Sequence, residues 1–314
     1  MSSIAPKRVS NASYLRSLSY FPVAVFVGGT SGIGQAMAEA FATHTEGNAH
    51  IVIIGRNQAA AENILSKFPK PSSPHAKHEF VQCDVTLMKN VKKATDDLVE
   101  RLPKIDYLVM SPGYMTMKDR DESAEGIDRK LAVHYYARWK FIDGLLPALK
   151  KAKDEGEDAK VYSVLAPGYG GSVDVEDLGL KKSFSLARVA LVAPTYNDLM
   201  TEEYAARNPG IPFVHAYPGW VDTGYLSNAE SSFLRFTSRA IWPVLRPFLR
   251  PFFFTPQEAG ENMLHGLLTT AKEPRAWRLN QHGEDMGTKR HYGTPEERKA
   301  LWEHTIEEMK RTLN

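Results

Sequence analysis

The chain has 314 residues, 43% of them apolar, which is enough material for one continuous core. With 39 lysines and arginines against 37 carboxylates the net charge is only +2, and this excludes a global field directed at nucleic acid. The single cysteine, Cys83, excludes an intrachain disulfide and a cysteine-based zinc site and suits a reducing, cytoplasmic setting; no membrane-spanning apolar run is present.

Residues 1–22 hold Lys7, Arg8, Arg16 and no acid, and read as an N-terminal arm, disordered or draped, with a transit peptide as the weaker alternative. Val23–Val27 is a buried strand by its apolar, β-branched run. Gly28, Gly29, Thr30, Ser31, Gly32, Ile33 and Gly34 follow, then a helical run over 35–45. Strand, spaced glycines and helix together predict a phosphate cradle: Gly28, Gly32 and Gly34 remove the Cβ atoms that would block the turn, the pyrophosphate and close helix packing. The second strand, 50–54, ends in Gly55, Arg56 and Asn57. There Gly55 leaves room and Arg56 supplies a cation for a 2′-phosphate, which favours NADP(H) over NAD; the alternative is a solvated loop charge.

A third strand, 79–83, delivers Asp84 and Val85, placing a carboxylate either to accept from an adenine amino group or, with Thr86, to cap the helix over 87–101. The fourth, 105–110, runs into Ser111, Pro112, Gly113 and Tyr114, with a long helix over 124–149. The fifth, 160–165, opens into Ala166, Pro167, Gly168 and Tyr169, and a helix over 185–207 leads to the sixth, 212–217, and to Pro218, Gly219, Trp220, Val221, Asp222 and Thr223. Six alternations with short loops predict a single doubly wound parallel sheet over 23–314, a Rossmann-type α/β/α sandwich with its ligand beyond the C-terminal strand edges.

These residues resemble the short-chain dehydrogenase/reductase family over about residues 22–225. The glycine turn is similar to the family's cofactor turn, Asp84 and Val85 to its adenine-side pair, and Pro218 to Thr223 to its nicotinamide-side turn. The resemblance implies that Val221 and Thr223 contact the nicotinamide carboxamide. The catalytic positions depart from the pattern. The Asn-Asn-Ala-Gly loop falls on Met110, Ser111, Pro112 and Gly113. The helix asparagine that props a proton-relay water falls on His134, and the serine pair on Leu165 and Ala166. The Tyr-x-x-x-Lys pair falls on Arg188 and Val192, or on Ala190 and Pro194. Literal Tyr-x-x-x-Lys strings at Tyr114 and Tyr136 lie elsewhere and read as chance. Asn197, Asp198, Leu199 and Met200, with His215 to Gly219, are similar to a fungal branch of the family that likewise lacks the pair.

Hydride transfer to a carbonyl needs a proton donor beside the forming alkoxide. The catalytic candidates are His134, Tyr169, Tyr114 and Arg188. Each has a plainer alternative: His134 as a hydrogen-bonded core residue, the tyrosines as packing lids, Arg188 as an ion-pair partner of Asp174, Glu176 or Asp177. Tyr136, Tyr162 and Ser163 complete the crevice inventory. The aromatic, arginine-punctuated stretch 233–254 lies in a segment, 224–256, that reads as a small helical lid over a bulky lipophilic substrate; a peripheral membrane contact or a homo-oligomer face are the alternatives. Thr255 and Thr294 begin the last two helices, and no histidine spacing suggests a metal. The expectation is therefore an NADP(H)-dependent oxidoreductase with an altered catalytic set, acting on a bulky carbonyl, enone or imine of specialised metabolism. The alternatives are a non-redox NADP-binding enzyme or an NADP(H)-sensing protein.

Overall fold

The computed structural model describes residues 4–222 and 253–314. Seven parallel strands, β1 (Val23–Val27), β2 (His50–Gly55), β3 (Lys77–Gln82), β4 (Tyr107–Met110), β5 (Lys160–Val164), β6 (Phe213–Ala216) and β7 (Ala276–Leu279), form one sheet in the order β3-β2-β1-β4-β5-β6-β7. All five residues of β1 are buried because both faces of the sheet are covered. Val23, Val25 and Val27 join one apolar cluster, and Ala24 and Phe26 join the other, as the strand period of two requires.

The first cluster lies under α4 (Met88–Arg101), α6 (Ala137–Asp154) and α7 (Leu186–Arg207); the second lies under α2 (Gly32–His44), α3 (Gln58–Leu65) and α8 (Pro256–His265). α6 is entered through a short α5 (Arg129–Leu131) and a π-helical turn, Ala132–Tyr136. The long helix expected from 124 thus begins at Asp128, whose carboxylate accepts from the Lys130 and Leu131 amides. β7 was not anticipated. Its four residues include Arg278, so neither length nor alternation marks them.

From residue 4 on, the N-terminal arm is draped over the domain as an ordered element. Residues Ala5–Arg16 form α1, fastened to α8 by polar contacts. Lys7 donates to Asn262 Oδ1 at 2.8 Å and to the His282 carbonyl at 2.6 Å. Asn11 donates to Glu261 Oε2 at 2.9 Å, and His44 of α2 meets the same carboxylate at 3.1 Å. At the other end of the chain α9 (Pro295–Leu313) lies across α4 and α7, packing Trp302 against Trp139 and Tyr204 with ring centroids 5.4 and 4.9 Å apart. No helix among the described residues is long and apolar enough to cross a membrane.

Glu261 is therefore the anchor of α1. Glu261→Ala is expected to cost about 2–4 kcal/mol, because Asn11 and His44 lose a buried acceptor. Arg8→Ala, at a half-exposed partner of the same carboxylate, should cost less than about 1 kcal/mol. Urea unfolding measures both, and equal costs would contradict this assignment.

Candidate functional site

The site runs along the C-terminal edges of β3, β2, β1, β4, β5 and β6. Gly28, at φ +82°, donates its amide to the Ile54 carbonyl, and a Cβ there would lie 2.7 Å from Pro112 N. A Cβ on Gly34 would strike Ser111 Oγ and lie 2.5 Å from the Gly28 carbonyl. The two glycines let the β1 turn, the start of α2 and the β4 loop meet, and no other residue fits either place. Ser31 stands at the N-cap of α2 without spending its hydroxyl on a cap, and the first helical bond of the turn is Gln35 N to Ser31 O. The amides of Gly32, Ile33 and Gly34 consequently face the crevice end of the helix as donors, a chemistry that fits a pyrophosphate.

Arg56 is exposed at the end of β2 and lines a cavity of about 560 Å³ together with Gln82, Cys83, Asp84, Asn90 and Lys93. Burial, with Asp84 adding to it, pushes the Cys83 thiol up to about 12, so it is an inert wall of this cavity. The space above Gly55 is taken by Thr30, whose Cγ2 would sit 2.7 Å from an added Cβ; Gly55 makes room for the glycine turn and not for a phosphate. Asn57 caps α3, accepting from Ala60 N at 3.0 Å. Asp84 closes its own turn by accepting from Thr86 N and Oγ1, while the first amides of α4 are capped from a distance by Glu125. Val85 is buried beside it. Gly219, at φ +80°, lies between Phe254 and Gln281, and a bridge between Val221 and Phe254 fixes the Pro218–Gly219 turn. Thr223 and residues 224–252, which include most of the expected lid, lie outside the described residues.

The four catalytic candidates stand in different surroundings. His134 sits in the π turn, and its Nε2 accepts the Tyr114 amide at 3.2 Å. Burial, and then the Arg138 guanidinium, push its pKa down to about 3. It is a neutral acceptor that fastens the β4 loop, which corrects the expectation of a neutral-pH acid. Arg188 is likewise engaged, donating to Ser183 Oγ and, at 3.0 Å, to Asp174 Oδ2 near the surface. Tyr114 packs against the α4–α7 cluster. Tyr169 is the exposed one, its ring centroid 4.6 Å from that of Tyr217, the residue before Pro218. Of the others, Tyr136 bonds His304 of α9 and Tyr162 lies in the core, its hydroxyl on Met263.

Sequence reading missed the guanidinium beneath the crevice. Arg138, 1% exposed, donates to the Pro112 and Val164 carbonyls at 2.8 and 2.9 Å and to Ser163 Oγ at 2.6 Å. Ser163 Oγ donates to Asn197 Oδ1 at 2.9 Å, and Asn197 Nδ2 donates to the His134 carbonyl at 2.7 Å. An arginine flanked by Ala137, Trp139, Phe141 and Ile142 was the available signal, because a charge on an apolar face needs buried acceptors. α7 runs on through Pro194, and Thr195 Oγ1 in the next position accepts from Gly171 N and donates to Gly171 O.

The model of the short chain dehydrogenase family matches residues 22–173. "Oxidoreductase AN1596" of Emericella nidulans is 35% identical over 85% of this chain and 77% of its own length. "Short-chain dehydrogenase/reductase SAT2" of Stachybotrys chartarum is 26% identical over 80% of this chain and 73% of its own. The NADPH-bound carbonyl reductase from chicken fatty liver has a similar fold, with a TM-score of 0.58 at 21% identity over 85% of this chain and 99% of that one.

Because His134 is held neutral, the stability it contributes is complete above about pH 6.5 and is lost as the pH falls toward its folded value. His134→Asn retains an acceptor for the Tyr114 amide without a titrating ring. It should lose about 1–2 kcal/mol less stability than wild type between about pH 7 and pH 5, measured by denaturant midpoints at each pH. Parallel curves for the two proteins would refute the neutral assignment.

Proposed function

The chain belongs to the short chain dehydrogenase family, and from that premise we propose that it is an NADP(H)-dependent oxidoreductase with an altered catalytic set, acting on a bulky lipophilic carbonyl, enone or iminium compound. The observation that carries this reading is the cradle. Gly28 and Gly34 bring the amides at the start of α2 against the Ser111–Pro112 loop, in a space that any side chain would fill. Arg56, exposed beside the cavity that Asp84 and Lys93 share, is the cation suited to a 2′-phosphate. Relatives described as oxidoreductases from Emericella nidulans and Emericella variicolor support the same class.

A bound dihydronicotinamide supplies hydride; the chain supplies the rest. Val221 is bridged to Phe254, which fixes the turn that follows β6. Arg138 fixes the carbonyls at the ends of β4 and β5, so the two loops that flank the reacting group keep their spacing. Tyr169 is the proton donor of this proposal, since it stands exposed on the β5 loop with its hydroxyl against that of Tyr217, while His134 and Arg188 are engaged elsewhere. An iminium needs no proton, and an enone can take its proton at carbon from water, so either substrate suits a site without the Tyr-Lys pair. Exposed Tyr169, Leu191 and Tyr292 give the described wall an apolar character that favours a lipophilic ligand. The engagement of His134 and Arg188 also favours a second reading, in which NADP(H) is bound and the pocket does non-redox work by shape and electrostatics.

Titration with NADPH and NADH, followed by a screen of lipophilic ketones, enones and iminium compounds for loss of nicotinamide absorbance, separates the readings. Cofactor consumption supports the redox one, product formation without consumption supports the second, and absence of dinucleotide binding defeats both. Arg56→Gln should weaken NADPH about tenfold and leave NADH within about twofold. With a carbonyl substrate, Tyr169→Phe should lower turnover by about 100-fold or more at unchanged NADPH affinity; an unchanged rate removes Tyr169 as the donor.

A further inference from the structure

Two short stretches singled out in the sequence, Asn197 to Met200 on α7 and His215 to Gly219 at the end of β6, meet inside the protein. Asp198 and His215 are 3% and 0% exposed. Asp198 Oδ1 lies 2.6 Å from His215 Nδ1, and on the far side of the ring Nε2 lies 3.1 Å from the backbone amide of Ala166. Asp198 Oδ2 accepts from Arg278 Nε at 3.0 Å, and the rest of that guanidinium donates to the Gly287, Lys289 and Arg290 carbonyls. We infer that Asp198 is a positioning residue of the crevice: by keeping the His215 proton on Nδ1, it leaves Nε2 as the acceptor that pins the Ala166 amide and the loop carrying Tyr169.

A backbone N–H can only donate, so the ring nitrogen facing Ala166 must be bare. Only the tautomer with hydrogen on Nδ1 satisfies this, and the carboxylate at 2.6 Å selects it. The ring is also kept neutral, since burial, with Arg138 and Arg278 nearby, lowers its pKa against the opposing pull of Asp198. The Asp-His pair has the layout of the orienting half of a nucleophilic triad, but its outer nitrogen is closed by an amide, so it performs no general-base step. What it fixes is the turn that follows: Ala166 O accepts the Tyr169 amide at 3.2 Å, and Thr195 holds Gly171 two residues on. The pinned loop is the wall between β5 and β6, against Tyr217 and the Pro218–Gly219 turn.

Asp198→Asn tests the device because an amide cannot serve both neighbours. If its oxygen faces His215, its NH₂ faces the Arg278 N–H; if its oxygen faces Arg278, its NH₂ forces the proton of His215 to Nε2, against the Ala166 amide. The permanently charged Arg278 takes the oxygen. Nitrogen-15 NMR of the histidine rings in the wild-type protein should show hydrogen on Nδ1 of His215, and in Asp198→Asn it should show hydrogen on Nε2. Amide exchange over 165–171 should then accelerate about tenfold or more, with β1 and β4 unchanged and NADPH affinity within about twofold. A wild-type Nε2–H ring would overturn the inference without recourse to any variant. So would a variant with unchanged tautomer and exchange, or one whose faster exchange spreads evenly over β5, β6 and β7. The functional meaning of the loop rests on the oxidoreductase reading, but these readouts need no turnover: failure to bind NADPH defeats that reading and leaves the Asp198 result to stand or fall alone.

Discussion

The arrangement of the site depends on burying one guanidinium. Arg138 stands under the two central crossings of the sheet, where β4 and β5 end, and its donors reach the Pro112 and Val164 carbonyls and the Ser163 hydroxyl. Strand ends expose carbonyls with no ladder partner, and a fixed planar donor can satisfy several at once. Desolvating the charge costs several kcal/mol, which these charge-assisted bonds must offset, so the loops cannot shift without stranding it. The loop that Gly28 and Gly34 approach so closely, at Ser111 and Pro112, is the one this guanidinium holds through the Pro112 carbonyl.

The same network decides where protons can move. The π turn frees the His134 carbonyl, and the Asn197 amide takes it; the His134 ring turns outward to the Tyr114 amide and titrates far below neutrality. A histidine in that place would ordinarily be the first choice for acid-base chemistry at neutral pH. Its hydrogen bond shows it fastening a loop instead. The β5 loop that carries the exposed Tyr169 is held by a second buried histidine, His215, whose Nε2 meets the Ala166 amide.

Six of the seven strands were legible, β1 and β2 as buried apolar runs, and the turn after β1 carries a glycine that the backbone geometry demands, Gly28 with φ +82°. The capping boxes at Thr255 and Thr294 were equally plain, with Glu258 and Glu297 three residues on. Features that depend on distant partners were not. Nothing local makes α1 stable; its polar face is completed by Glu261 and Asn262, some 250 residues later in the chain. Nor does the sequence around Gly55 reveal that Thr30 fills the space above it, or the sequence around Arg188 which of three nearby acids it meets. The roles of Asn197 and Asp198 required the same information, because their partners Ser163, His134 and His215 lie on other elements.

The C-terminal helix adds a partial fourth layer. Trp302 covers Trp139 and Tyr204, Thr305 meets the Tyr135 hydroxyl, and His304 meets Tyr136. The aromatic flank of the helical layer is thus covered in cis, and α9 exposes Glu296, Lys299 and Glu303 to solvent. Unseating α9 would therefore bare Trp139, Tyr204 and the Tyr135 and Tyr136 hydroxyls together, so this helix shields one aromatic surface as a single unit.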